Sequence, residues 1–544
     1  MSVFEWINRI SDDERSRKAW FSLVCLVFAV LVIIPSVFVI LKMFTEWGIV
    51  SEVFGDPVTM SVITSALWNS FSIACIVTVI DVAVGIPMAW IMVRKQFKGK
   101  KYLDTLMDMP LAFPTAVLGI SVVMFWGAPE GITIPGLGLI VSPYIMLILL
   151  HTIFTYPYMV RSLSAILEQI EPNYETAAMT LSASRFTAVR TITLPLFRAG
   201  LVTGTILCFA RSLSETGGTL IALQMMGVGS LFFTGPTFIA YMKTEYGTDA
   251  AMGSMILISV LMIVLALILL VVVKVLIMRF RIPVKKVWPK FGRFVSRGAM
   301  PKLKDTVSVM FLAVVVLLPT FYIFTYLTQP MADIDFGALL YSTGISFLIA
   351  GVAVVFNMVF GIPVALYIAR KRHTKSGKIL DSLVNVPLII PTTALGFSLA
   401  LFWGSIYAGD SMGLLMVILG HIAFTFPLVV RNVTGAVEEV DISYEEVAMT
   451  LGAKPFQAFS KVLMPIIKSS VIAGAILAFT RSLGETGATV AISDSVETVP
   501  VYIMGLISAN RYSEAAFCSI VLIAICFAFM LAVRIAVNRG GSRA

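Results

Sequence analysis

The chain has 544 residues, of which 58% are hydrophobic and only 13% charged, with a formal net charge of +9. Soluble domains are about 25% charged, and a water-soluble fold of this length still leaves roughly a quarter of its unfolded surface in water. A soluble globular enzyme is therefore excluded. Stretches 19–41, 57–80, 109–129, 250–273, 306–332, 382–409 and 515–533 contain no Asp, Glu, Lys or Arg. About 20 apolar residues in a helix cross a bilayer core, so the chain reads as an all-α polytopic membrane protein.

In chain order, the first apolar block follows Arg15, Arg17 and Lys18 and lacks a small-residue cleavage pattern. It is expected to remain as a first span rather than leave as a signal peptide. The elements after it come in two copies. GIPMAWIMVRK (85–95) returns as GIPVALYIARK (361–371), and MPLAFPTAVLGISVVMFWG (109–127) as VPLIIPTTALGFSLALFWG (386–404). Later, ETAAMTLSA (175–183) returns as EEVAMTLGA (445–453), and RSLSETGGT (211–219) as RSLGETGAT (481–489).

Six spans are expected per half, near 19–42, 59–93, 107–127, 139–163, 199–224 and 250–278, then near 306–328, 339–369, 384–408, 411–433, 469–492 and 514–537, about 12 in all. The domains are thus 1–278, a first transmembrane unit, 279–305, a basic cytoplasmic linker, and 306–544, the second transmembrane unit. An even number of spans gives both halves the same orientation, as parallel repeats around a central path.

Charge sets the expected orientation. Arg94, Lys95, Lys98, Lys100 and Lys101, then Arg370, Lys371, Arg372, Lys375 and Lys378, and nine basic residues within 279–304 form basic loops. Loops 45–59, 127–138, 328–341 and 404–412 hold only the acids Glu46, Glu52, Asp56, Glu130, Asp333, Asp335 and Asp410. Short basic loops stay cytoplasmic, which predicts a multi-pass protein of the cell membrane with both termini cytoplasmic. The basic excess is then a topology signal and implies no nucleic-acid partner. The five cysteines sit inside apolar blocks without a C-x-x-C pair and read as core residues. No metal cluster and no catalytic set is expected.

The polar stretches 164–198 and 434–468 are long for a simple connection. Asn173 after Pro172, and Ser443-x-x-Glu446 as a capping box, are expected to start short helices there. Gly452 suits a left-handed helix end, and a second segment is expected to stop at Pro195 or Pro465. An ordered cytosolic helix-turn-helix at the same place in both halves predicts a docking surface.

These stretches, EEVAMTLGAKPFQAFSKVLMP (445–465) and ETAAMTLSASRFTAVRTITLP (175–195), resemble the E-A-A-x-x-x-G signature of permeases of ATP-binding-cassette importers. The resemblance covers both halves and implies a fused double permease whose loops dock on ATPase subunits, in two copies. It implies docking through Glu175, Thr176, Ala177, Ala178 and Ser182, and through Glu445, Glu446, Val447, Ala448 and Gly452. Thr176 and Ser182 depart from the signature in the first copy, and Val447 in the second. No G-x-x-x-x-G-K-[ST] phosphate loop is present, so ATP is expected to be used by a partner subunit, with no cofactor bound by this chain.

Span five carries Arg211 with Glu215 and Arg481 with Glu485, spaced so that each pair shares a helix face. They read as the only clear intramembrane charges, either at a gate in the translocation path or as neutralised pairs locking helices. Thr216 and Thr219, with Thr486 and Thr489, follow among small residues. Such runs either permit close helix contact or extend the candidate path, packing being the favoured reading for most of them. Pro110 with Pro114, and Pro387 with Pro391, are expected to break span three. His151 and His421 read as interhelical hydrogen-bonders, and Arg161 and Arg431 as snorkelling to the interface.

The resemblance further implies an extracytoplasmic substrate-binding protein as partner. Runs 154–169 and 481–492 look like permeases for oxyanions such as molybdate, tungstate or sulfate. The fused form is similar to ferric-iron and thiamine importer permeases. An ion-gradient-driven secondary transporter is the rival class.

Overall fold

The computed structural model describes residues 11–127, 142–279, 294, 299–328, 334–406 and 412–541. Glu130, Asp333, Asp410, both extreme termini and most of the basic linker lie outside the described residues. Within them the chain is helical. A backbone in hydrocarbon must satisfy its polar groups internally, and an α-helix does so segment by segment.

The first half comprises α1 (Glu14–Thr45), α2 (Pro57–Arg94), α3 (Lys100–Leu111), α4 (Thr115–Trp126), α5 (Pro143–Gln169), α6 (Asn173–Thr180), α7 (Arg185–Leu196), α8 (Arg198–Leu213), α9 (Gly217–Met225) and α10 (Gly235–Arg279). The second comprises α11 (Met300–Tyr326), α12 (Phe336–Lys371), α13 (Lys375–Ile389), α14 (Thr392–Ile406), α15 (Gly413–Glu439), α16 (Ser443–Thr450), α17 (Pro455–Leu483), α18 (Gly487–Ile492), α19 (Val499–Ser508) and α20 (Tyr512–Gly541). Among the described residues nine helices are long and apolar enough to cross a membrane, or up to 12 if each of three bent pairs is one span.

The expected third spans are not straight rods. At the two proline pairs α3 meets α4 at 104° and α13 meets α14 at 105°. The 12 residues of α4 extend only about 18 Å, short of a core ~30 Å thick. Residues Thr115 to Phe125 are all buried, which places α4 at the centre of the bundle instead of against lipid. The expected fifth spans are broken as well, between Leu213 and Gly217 and between Leu483 and Gly487. Nor does the segment before span five stop at its proline in both copies. α17 runs through Pro465 unbroken, whereas α7 and α8 meet at 70°.

Small residues set the close contacts at the centre. A Cβ on Gly119 would lie 2.9 Å from Gly218 Cα, and one on Gly396 2.9 Å from Ala488 Cα. The hydroxyl-and-glycine runs after the Arg–Glu pairs therefore pack helices backbone to backbone.

The two halves exchange their first helices. Phe21 of α1 stacks on Tyr367 of α12 with centroids 4.1 Å apart, and Phe28 on Phe426 of α15 at 4.9 Å. A π-turn at Ala29–Ile33 leads into Pro35. There Ser398 of α14 inserts its hydroxyl into the helix ladder, donating to Pro35 O (2.7 Å) and accepting from Val39 N (2.9 Å). Ser121 of α4 does the same to α11, donating to Pro319 O (2.5 Å) and accepting from Ile323 N (3.0 Å). Each half is thus fastened to its twin by a serine placed inside a helical hydrogen bond.

Replacing both serines by alanine is expected to cost about 1–3 kcal/mol per site. A drop in the thermal unfolding midpoint of the detergent-solubilised protein, larger for the double variant than for either single one, is the measurement that checks it.

Candidate functional site

The loops singled out in the sequence form α6 and α16. Asn173 and Ser443 are not their caps, because both are already the first helical residue and make no side-chain cap bond. The Ser443–Glu446 capping box does not form. Asp441 takes its place, accepting from Ser443 N at 2.9 Å. That bond, with the Ser443 hydroxyl and nearby Arg370, holds the Asp441 carboxyl below the usual carboxylate range. At the other end Gly452 has φ +90° as expected, and Ser182 holds the same left-handed backbone at φ +67° without glycine's freedom.

Thr176, Ala177 and Ser182, with Glu446, Val447 and Gly452, are exposed, while Ala178 and Ala448 are half-buried. The most prominent side chains were missed in the sequence: Leu181 is 85% and Leu451 84% exposed. Glu175 does not belong to this surface. It is buried, accepts from Thr193 Oγ1 at 2.8 Å, and lies 3.5 Å from Arg94 Nη2. Glu445 pairs likewise with Arg370.

Arg94 ends α2 and also donates to Ile170 O (2.6 Å); Arg370, near the end of α12, donates to Val440 O (2.9 Å). Each arginine therefore holds together the turn entering α6 or α16 and the first-turn carboxylate of that helix. The signal was present in the paired motif ends VRK and ARK, read above only as topology.

On the docking-loop side of the centre, the halves enclose a cavity of about 750 Å³, lined among others by Pro114, Thr115, Arg211, Thr392, Arg431 and Arg481. Arg211 Nη1 lies 2.8 Å from Glu215 Oε2, and Arg481 pairs with Glu485 in the same way. The pairs are oriented. The arginine side chains are 15% and 18% exposed and the glutamates 2% and 4%. Phe154 and Phe424 back the guanidinium groups, with centroids at 4.9 and 5.2 Å.

Each glutamate also closes a helix break. Glu215 Oε1 accepts from Gly218 N (3.0 Å) and Glu485 Oε1 from Ala488 N (2.8 Å), meeting donors at the starts of α9 and α18. Each pair thus both lines the cavity and ties neighbouring helices, with arginine toward the cavity and glutamate toward the backbone.

Above the cavity the halves meet in a seam. Thr216 hydrogen-bonds Thr393 across it, Thr392 Oγ1 donates to Ser214 O (3.1 Å), and Thr486 sits so close to Gly217 that a Cβ there would be 2.8 Å from its own. Thr219 and Thr489, expected along the path, do not reach the cavity. They are buried against histidines: His151 contacts Ser212 Oγ (2.8 Å) and Thr219 Oγ1 (2.9 Å), and His421 contacts Ser482 Oγ (2.7 Å) and Thr489 Oγ1 (3.0 Å).

Arg161 and Arg431 do not snorkel. Arg161 binds Asp104 (2.7 Å) and Asp108 (2.5 Å), and Arg431 binds Asp381 (2.6 Å) and Asn385 (2.8 Å), pinning α3 and α13. The Arg–Glu pairs are also not the only charges at depth. Asp81 lies fully buried within α2, and Lys243 is buried in α10. Among the described residues no three His, Cys, Asp or Glu gather as a metal-holding group.

Comparison with known proteins adds a family. The family described as "Binding-protein-dependent transport system inner membrane component" matches residues 81–282 and again 361–539, together more than half of the chain. The sulfate transport system permease protein CysT of Salmonella typhimurium is 34% identical over 213 residues, 37% of this chain and 76% of that protein. The molybdenum transport system permease protein ModB of Escherichia coli is 31% identical over 207 residues, covering 34% and 88% respectively. The probable transport system permease protein NifC of Clostridium pasteurianum is 29% identical over 206 residues, covering 37% and 72%.

Arg370→Met is expected to release α16 and speed limited proteolysis between Asp441 and Lys454 roughly ten-fold, the effect of losing a charged hydrogen bond. Ser182→Gly is expected to raise the unfolding midpoint, because it relieves about 1 kcal/mol of left-handed strain; Gly452→Ser tests the reverse.

Proposed function

This chain belongs to the family of binding-protein-dependent transport system inner membrane components, and from that premise we propose that it imports a small oxyanion, of the molybdate, tungstate or sulfate class. It is the membrane component of an ATP-binding-cassette transporter and not the ATPase, which is a separate subunit. ATPase subunits and a substrate-binding protein are its partners. In this reading two ATPase subunits dock, one on α6 and one on α16, and an extracytoplasmic binding protein delivers the solute to the opposite face. ATP is bound by the partner subunits and no cofactor by this chain.

The observation that carries the docking is the pair of leucine-tipped helices, each tied by a buried or half-buried Arg–Glu pair to the end of a membrane helix. Closure of an ATPase dimer would move α6 and α16, and Arg94 and Arg370 would pass that movement to α2 and α12. A secondary transporter has no use for two such tethered elements.

For the solute, the support is electrostatic. The cavity lining includes Arg211, Arg431 and Arg481 and, among the described residues, no carboxylate. Each arginine is paired with a carboxylate behind it, so the cavity presents guanidinium N–H donors and no carboxylate rather than a large net charge. Donors of that kind suit an oxyanion better than ferric iron or a thiamine cation. The relatives named for sulfate and molybdenum transport agree with this choice.

The orientation proposed is cytoplasmic for the docking helices and both termini of this cell-membrane protein. Asp12 pairs with Lys454 at 2.9 Å beside α16, and Asp305, at the entry to α11, pairs with Lys95. The start of each half therefore lies on the docking side.

Leu181→Asp with Leu451→Asp is expected to abolish co-purification of the ATPase subunit while leaving the permease monodisperse in detergent, because each buried leucine contributes about 1.5–3 kcal/mol. Retention of the ATPase by the double variant refutes the docking assignment. Proteoliposomes with both partners and labelled molybdate, sulfate or ferric iron decide the solute.

A further inference from the structure

Beyond the seam, on the face away from the docking helices, one lysine crosses between the halves. Lys243 lies on the first segment of α10, before the break at Gly247, where φ is +78°. Its side chain is 4% exposed, and Nζ donates to Val490 O of α18 at 2.7 Å and lies 3.2 Å from Asp494 Oδ1. Both partners belong to the other half. Asp494 itself is 74% exposed.

The twin half supplies the internal control. TGPTFIAYMKTEYG (234–247) aligns with TVPVYIMGLISANR (498–511), pairing Lys243 with Ile507. Gly235 N and Val499 N each donate to the same kind of cap, a serine hydroxyl oxygen from span two: Ser70 Oγ at 2.7 Å and Ser346 Oγ at 2.9 Å. The two segments therefore hold equivalent places. Ile507 is 2% exposed, so this position is filled by an apolar side chain without difficulty. A buried ammonium there is a cost to folding that packing does not require.

We propose that Lys243 is a releasable latch holding the outer side of the seam closed. Closed, the ammonium is seated on Val490 O and covered by Asp494, joining α10 to α18. When the halves part, Asp494 is already in water and Lys243 becomes hydrated, so the contact separates without exposing an apolar face. An isoleucine there would be buried again at each closure but would resist each opening. The inference rests on reading the chain as an importer permease.

The test uses the full complex with its ATPase subunits in proteoliposomes. Asp494→Lys places two like charges at the latch and, at a largely exposed position, leaves the fold undisturbed. ATP hydrolysis without binding protein is expected to rise roughly ten-fold, as for loss of one charge-assisted hydrogen bond. In a background with Cys25 and Cys75 replaced by alanine, Lys243→Cys with Asp494→Cys is joined by a reducible bis-thiosulfonate linker, which takes the place of the long lysine side chain that bridges the two positions. Transport is expected to stop on linking and return on reduction. Unchanged basal hydrolysis in Asp494→Lys, or full transport in the linked complex, overturns the latch. Stimulation of the wild-type complex by binding protein reads the importer assignment separately, because the latch is read only from variant-to-wild-type ratios.

Discussion

The structure depends on one constraint: in hydrocarbon no backbone N–H or C=O can be left without a partner. This chain breaks its helices repeatedly inside the bundle, and the breaks are closed by side chains. Glu215 and Glu485 meet the first amides of α9 and α18. Ser121 and Ser398 enter the ladders of α11 and α1, and Ser70 and Ser346 meet the starts of α10 and α19. Most of these side chains come from another helix, and the serines at the π-turns come from the other half. The same bonds that allow breaks therefore hold the two repeats together.

The repeats agree in these bonds more closely than in residue identity, and the disagreements are informative. Asp81 has Asn357 as its twin; Asn357 Nδ2 donates to Thr425 Oγ1 at 2.7 Å. Ser182 does with strain what Gly452 does freely. α7 and α8 are bent where α17 is continuous. The corresponding arms of the two halves are thus mechanically unequal, one continuous with its membrane helix and the other jointed. Fusion of the halves permits this, since each arm has its own sequence.

Much of the architecture was legible because it is written in composition and repetition. The apolar blocks, the twin motifs and the long polar loops mark a doubled membrane bundle with a short helix in each long loop. Neighbouring side chains that face opposite ways were not legible. Glu175 and Thr176 are adjacent, yet one is buried on Arg94 and the other exposed, because a short helix turns about 100° per residue. The Ser398–Pro35 and Ser121–Pro319 contacts join residues too distant in sequence for any local pattern to record. Asp81 escaped notice because it sits one residue past a charge-free block, and a single acid within a long apolar helix leaves little mark on composition. Thr219 and Thr489 looked like path residues because hydroxyls in a membrane suit either a wet path or a buried hydrogen bond. Only the histidines on α5 and α15 decide between these.

Those histidines also constrain how the centre can move. His151 holds Ser212 before the break and Thr219 after it, and His421 holds Ser482 and Thr489 in the same way. With Glu215 and Glu485 closing the breaks from inside, each broken helix is stapled into one body with α5 or α15. Flexing at the break would strip partners from several buried polar groups at once, each costing about 1–3 kcal/mol. Parting the halves at the seam loses the Thr216–Thr393 and Thr392–Ser214 bonds, the contacts of Lys243 with Val490 and Asp494, and van der Waals contact at Gly217 and Gly487. The centre therefore has a soft direction of motion and a stiff one. The soft direction separates the two repeats as rigid bodies along the line where the cavity already ends.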